Sequence, residues 1–128
     1  MTRKTSSMSR PLFAAGLLLL SFGARADGDA VRGARAYQTH CSECHTVDKD
    51  DTGPRHGGVL GRRAGSLPGF AYSPALKAST LTWDAALLDR WITNPDLVVP
   101  GQAMDFKLGD AAARADIVAY LITLKAPK

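Results

Sequence analysis

The sequence predicts an all-α domain made of terminal helices, one middle helix and two long loops. Apolar residues recur at helical spacing near both ends, no β-rich run is present, and stretches dense in glycine and proline separate the periodic segments. Ala30 to His40 (AVRGARAYQTH) opens the fold as an Ala-rich helix, with Ala30, Gly33, Ala34 and Tyr37 on one face at i, i+3, i+4 and i+7. Glycine weakens a helix, so Gly33 on that face predicts close approach by another element. Asp50 to Phe70 holds six glycines and two prolines in 21 residues and reads as a long irregular loop. A loop of that length is functional or wrapped around something. Ser73 to Ser79 allows a short helix. Asp84 to Thr93 reads as the middle helix, with Thr82 as N-cap and Asp84 favourable in the first turn. Asn94-Pro95 stops it, because the residue before proline avoids the helical region. Val98 to Lys107 is the second loop. Asp110 then caps a last helix, Ala111 to Lys125, with Ile117, Val118, Leu121, Ile122 and Leu124 as its apolar stripe.

The first 26 residues stand outside this fold. Arg3, Lys4 and Arg10 precede an apolar run from Leu12 to Phe22, and Ala24-Arg25-Ala26 offers an A-x-A cleavage site. The combination reads as a secretory signal peptide, cut after Ala26. The run is 11 residues, far short of the ~20 a spanning helix needs. Residues 27–128 are therefore expected as one exported, periplasmic domain without stable membrane insertion. The formal charge of +4 comes from the leader, where Arg3, Lys4, Arg10 and Arg25 meet no acid; the remainder balances twelve basic against 12 acidic residues. That balance excludes nucleic-acid binding, which needs a basic patch.

Chemistry concentrates at Cys41-Ser42-Glu43-Cys44-His45. C-x-x-C-H is the attachment signature of a c-type haem. The thiol spacing matches the two porphyrin vinyl groups, and the histidine that follows at once reaches the iron from the same side. These are the only 2 cysteines, so one covalently attached haem uses both. A thiol–disulfide redox motif wants a βαβ context, which is missing. A zinc site wants four ligands, and Cys41, Cys44 and His45 supply three that are crowded in sequence. A small structural disulfide is the remaining alternative.

His45 provides one axial ligand, and the opposite side of the iron needs another or none. Once Met1 and Met8 leave with the leader, Met104 is the last methionine, set in a Pro-Gly loop that no helical period claims. A lone methionine is commonly core filler, but its solitude and its loop favour ligation. The rivals are His40, which cannot easily swing to the opposite face because it adjoins Cys41, and His56, which reads as a hydrogen-bonding surface residue. Thioether is soft, favours ferrous iron and raises the potential. Two filled axial sites suit electron transfer rather than catalysis.

These residues, in this order from Gly28 to Lys125, resemble the class I c-type cytochromes: mitochondrial cytochrome c and the small soluble bacterial cytochromes like it. The resemblance implies the cytochrome c fold, with N- and C-terminal helices packed crosswise and the middle helix and loops wrapping one haem. Gly33 and Tyr37 resemble the family's glycine and aromatic on the first helix, and Tyr120 the aromatic of the last helix that packs over the glycine. Gly53-Pro54 resembles the segment whose proline carbonyl accepts from the ligand histidine. Gly61 to Gly65 with Pro68 to Tyr72 resembles the haem-edge loop. Arg62, Tyr72 and Trp83 fall where the family places donors to the propionates, and a buried carboxylate does need paired donors. Pro100-Gly101-x-x-Met104 resembles the ligand-methionine loop.

The chain also departs from the pattern. Trp91 stands where many relatives have a tyrosine bonded to the methionine sulfur; indole donates too, but is larger. Leu76 replaces a polar amide, Gln102 and Ala103 replace a threonine and a lysine, and the lysine-rich front face of mitochondrial relatives is largely missing. The expected function is that of a monomeric, exported monohaem electron carrier, not an enzyme, docking transiently with redox protein partners at an exposed haem edge. Two alternatives stand beside it: a gas-sensing or weakly peroxidatic haem protein with a labile Met104, and a haem subunit of a periplasmic oxidoreductase.

Overall fold

Local capping decides where each helix starts. In the computed structural model, which describes Met1 and residues 27–128, Asp29 caps α1 (Ala30–His40) by accepting from the Arg32 amide. Ser73 caps the short α2 (Pro74–Ala78), with proline in the first turn where its missing N–H costs nothing. α3 spans Ala85–Thr93 and α4 spans Ala111–Leu121, the latter capped by Asp110 through the amides of Ala112 and Ala113. A single 3₁₀ turn, Pro95–Leu97, follows α3. The architecture is all-α; the described residues contain no strand, only an isolated bridge between Arg63 and Thr82. The leader assigned to residues 1–26 lies, beyond Met1, outside the described residues.

Two helix boundaries differ from expectation. Asp84, not Thr82, is the N-cap of α3, its Oδ1 accepting from the Leu87 amide at 2.7 Å. The backbone of residues 81–83 is taken up elsewhere: Leu81 and Arg62 carbonyls accept from Ala64 and Trp83 amides, and Trp83 O accepts from Gly61. A helix cannot begin until that pairing ends. α4 stops at Leu121 rather than Lys125, because the Thr123 and Leu124 amides tighten to i−3 carbonyls and Leu124 O is then claimed by the Gly58 amide at 3.0 Å. Ile117, Val118 and Leu121 of the predicted stripe are buried; Ile122 is exposed.

α1 packs on α4, joining the two ends of the domain. Gly33 is the reason they meet so closely. A Cβ there would collide with the Asp116 carbonyl and come within 2.9 Å of Tyr120 Cβ. Tyr37, 1% exposed, sits edge-on to Tyr120 with ring centroids 5.2 Å apart. The contact is clamped at its rim by Asp116, whose carboxylate accepts from the Asp29 amide at 2.7 Å and from the Arg32 Nε–H at 2.8 Å. α3 packs on α4 and brings Leu87, Leu88, Trp91 and Ile92 into the same core as Tyr37, Val59, Ile117 and Leu121. Among the described residues no helix is long and apolar enough to cross a membrane.

Candidate functional site

α1 hands the chain directly into the cysteine turn. The Cys41 and Ser42 amides both reach back to Tyr37 O, at 2.8 and 3.1 Å, and the Cys44 and His45 amides both return to Cys41 O, at 3.1 and 2.9 Å. The thiols of Cys41, half-buried, and Cys44, exposed, are both free. Burial, aided by the neighbouring Cys44, pushes the Cys41 thiol up to about 11. Redox-active cysteines need the opposite shift. Among the described residues no three His, Cys, Asp or Glu side chains form a group that could hold a metal ion.

His45 Nδ1 lies 2.8 Å from the Pro54 carbonyl. A carbonyl can only accept, so Nδ1 carries the proton and Nε2 keeps its lone pair. Burial lowers the pKa of His45 and the Pro54 contact partly opposes it, a net shift that favours the neutral ring. The backbone of Gly53 lies against that ring, and a Cβ at this position would collide with it.

His56 corrects the sequence reading. It makes a hydrogen bond, as expected, but it is half-buried rather than fully at the surface, and its ring stacks on His45 with centroids 4.0 Å apart and planes 20° from parallel. Backbone pairing makes the stack, since the amides of His56 and Gly57 bond to the carbonyls of Thr46 and Val47 at 2.9 and 2.8 Å. The Tyr37 hydroxyl lies 3.0 Å from His56 Nδ1. Burial, with His45 and Arg62 adding to it, pulls the pKa of His56 well below the ordinary histidine value.

The methionine loop is held from two sides. Trp91 Nε1–H donates to Met104 Sδ at 3.1 Å, so the larger indole does reach the sulfur. The Gln102 side chain brackets the Met104 backbone: its Oε1 accepts the Met104 amide and its Nε2 donates to Met104 O at 3.1 Å and to Asp96 at 2.8 Å. Trp83 is edge-on to Trp91, with centroids 5.2 Å apart, and its own Nε1–H has no protein acceptor among the described residues. In the glycine-rich loop, Arg62 donates to Arg55 O at 2.8 Å and Gly57 O at 3.1 Å, which leaves further N–H groups for an anion. The Tyr72 hydroxyl accepts from the Leu67 amide at 3.3 Å, and burial raises its pKa, so it retains a proton to donate.

Cys41, Cys44, His45, Pro54, Arg62, Tyr72, Trp83, Trp91 and Met104, the candidate haem-site residues of the sequence, all line one cavity of about 450 Å³. Cys41, Cys44, His45, Met104 and the three candidate anion donors thus border the same space, whose walls include the apolar Val59, Leu76, Leu88 and Ile92. The family model for cytochrome c matches residues 30–125. The chain belongs to the cytochrome c family. It is 46% identical over 110 residues to a cytochrome c2 from Rhodomicrobium vannielii, covering 83% of this chain and 87% of that one. A cytochrome c from Chlamydomonas reinhardtii is 40% identical over 98 residues, 73% of this chain and 88% of the relative. Among solved structures, cytochrome cH from Methylobacterium extorquens superposes with a TM-score of 0.71 at 44% identity, covering 75% of this chain and 99% of that one. The cofactor of a c-type cytochrome is covalent haem c, and the donor set fits it: two thiols at C-x-x-C spacing and a histidine whose Nε2 is left open. As a family member the chain is a monohaem electron carrier.

Proposed function

We propose that this cytochrome is an exported carrier in which Cys41 and Cys44 hold the haem by thioether links and His45 and Met104 are the axial ligands. When bound, the haem supplies a one-electron couple between ferrous and ferric iron. The protein's part is to bind, orient and exclude water. Pro54 keeps the proton on His45 Nδ1, which leaves the Nε2 lone pair to hold the iron and would raise its basicity. Trp91 donates to one sulfur lone pair of Met104 and leaves the other for iron. Arg62, Tyr72 and Trp83 are the donors to the propionates, and Leu76 makes the pocket drier than an amide would. The observation that carries this reading is the convergence of an oriented imidazole and a hydrogen-bonded thioether on one cavity with both thiols.

The gas-sensing alternative requires Met104 to leave. The Gln102 bracket and the Trp91 hydrogen bond both favour a fixed loop instead. Cleavage after Ala26 and a periplasmic location rest on the leader pattern. The partners are redox proteins that dock transiently, and the monomer is the working form. Five lysines lie beyond the leader, and Lys107 among them is paired with Asp96 at 3.3 Å, so the chain lacks a lysine-rich docking face.

A redox titration of the purified holoprotein, followed optically, tests the assignment. One haem per chain, a reversible one-electron transition, a sulfur-to-iron charge-transfer band in the ferric state and weak carbon monoxide binding are expected. A ferric protein without that band, or tight carbon monoxide binding, would refute Met104 ligation. Mass spectrometry should find Asp27 at the N-terminus of the exported product.

A further inference from the structure

The roles assigned above leave out His56, although its ring stacks directly on that of His45. One hydrogen bond, from Nδ1 to Pro54 O, fixes a single point of the His45 ring. That single contact leaves the ring some freedom to turn about its Cβ–Cγ bond. The stack with His56, 4.0 Å away and 20° from parallel, opposes that turn. His56 is itself tied at both ends. Its amide bonds to Thr46 O at 2.9 Å, one residue beyond His45, and its Nδ1 meets the Tyr37 hydroxyl at 3.0 Å. Tyr37 is fully buried against Tyr120, so the chain of contacts ends in the α1–α4 core rather than in a loop.

We propose that His56 is a positioning residue for the iron's histidine ligand, setting the rotational orientation of the His45 ring and holding the reduction potential down; this rests on the reading of His45 as that ligand. Two physical effects give the sign. Oxidation of the iron places more positive charge on the ligand ring, and a polarisable aromatic face stacked on it favours that state. A polar imidazole beside the site also stabilises charge better than an aliphatic side chain. Both favour the ferric form, so replacing His56 by an aliphatic residue should raise the potential. Tyr37 and His56 further satisfy each other's polar atoms, which makes the hydroxyl part of the same device.

The test uses the folded holoprotein with three variants: His56→Leu, His56→Phe and Tyr37→Phe. Readouts are the potential and the pattern of paramagnetically shifted haem-methyl resonances in the ferric state, which reports the ligand plane. His56→Leu should shift the balance toward ferrous iron about threefold, or about 28 mV upward at ~59 mV per tenfold for one electron, and should change the methyl pattern. His56→Phe restores a stacking face and should move the potential less. Tyr37→Phe removes one oxygen and leaves both rings, so it should disturb the methyl pattern even if His56→Leu fails to mature. Unchanged potential and methyl pattern in His56→Leu, or an unchanged methyl pattern in Tyr37→Phe where the leucine variant does not fold, would make His56 a packing residue and overturn the proposal alone. A wild-type spectrum without shifted His45 ring protons would overturn the ligand reading with it.

Discussion

Trp91→Phe isolates the hydrogen bond to the methionine sulfur. The indole Nε1–H lies 3.1 Å from Met104 Sδ, and the ring is 7% exposed and edge-on to Trp83. Phenylalanine keeps an aromatic ring there and removes the donor. A net side-chain hydrogen bond contributes about 0.5–1.5 kcal/mol, and thioether sulfur is a weak acceptor, so about 0.7 kcal/mol is a fair figure. Donation to sulfur withdraws electron density and favours ferrous iron. If the whole interaction belonged to that state, losing it would shift the equilibrium by about half a decade, since a decade is ~1.4 kcal/mol. At ~59 mV per decade the potential should fall by up to about 30 mV. The smaller ring also leaves space in a buried site, costing about 1–3 kcal/mol of stability. Trp91→Tyr, which restores the donor that relatives use, should recover most of the potential. Redox titration and guanidinium unfolding of the three holoproteins provide the comparison. A potential that rises or stays constant in Trp91→Phe, with the charge-transfer band unchanged, would show that the contact has no hold on the iron.

Other perturbations reach separate parts of the structure. Met104→Ala should open the iron to water and carbon monoxide and lower the potential by several times ~59 mV, because a soft ligand that favours ferrous iron is lost; identical spectra and carbon monoxide affinity in mutant and wild type would make Met104 a core residue. Gly33→Ala should destabilise by about 1–3 kcal/mol despite alanine's better helix propensity, since its Cβ meets backbone of α4 that cannot step aside; an unfolding midpoint at or above wild type would contradict the close packing. The Asp116 carboxyl is held below the usual carboxylate range, chiefly by the Arg32 hydrogen bond and then by the Asp29 amide. A lowered folded pKa stabilises the fold above the unfolded value of about 4 and is lost as pH falls through the folded value. The stability advantage of wild type over Asp116→Asn should therefore shrink on acidification, and a gap independent of pH would argue against the clamp.

Legibility in the sequence followed the range of the interaction. α1 was readable to the residue because Asp29 caps it locally and its apolar face repeats at helical spacing. The residues facing the cavity were readable too, because C-x-x-C-H and the solitary Met104 are signals of residue type and position. Boundaries failed where a distant segment competes for backbone groups: residues 61–64 take the partners of residues 81–83, and Gly58 takes Leu124 O. The hydrogen bond of His56 was expected, but its stack on His45 was missed for the same reason. Its place beside His45 depends on pairing between residues 46–47 and 56–57, which no periodicity announces.

The Gly33 contact bears on the order in which this protein can be completed. α1 ends in the cysteine turn, yet the surface that receives α1 lies on α4, with Asp29 and Asp116 bonded across 87 residues. A chain delivered from its N-terminus presents both thiols long before the last helix exists. Contacts so far apart in sequence form late and slowly. Until they do, the thiols sit on an undocked segment that an attachment enzyme can grip. Arrival of α4 then closes that interval, so the same glycine that lets the helices touch also decides when the segment carrying the thiols joins the packed core.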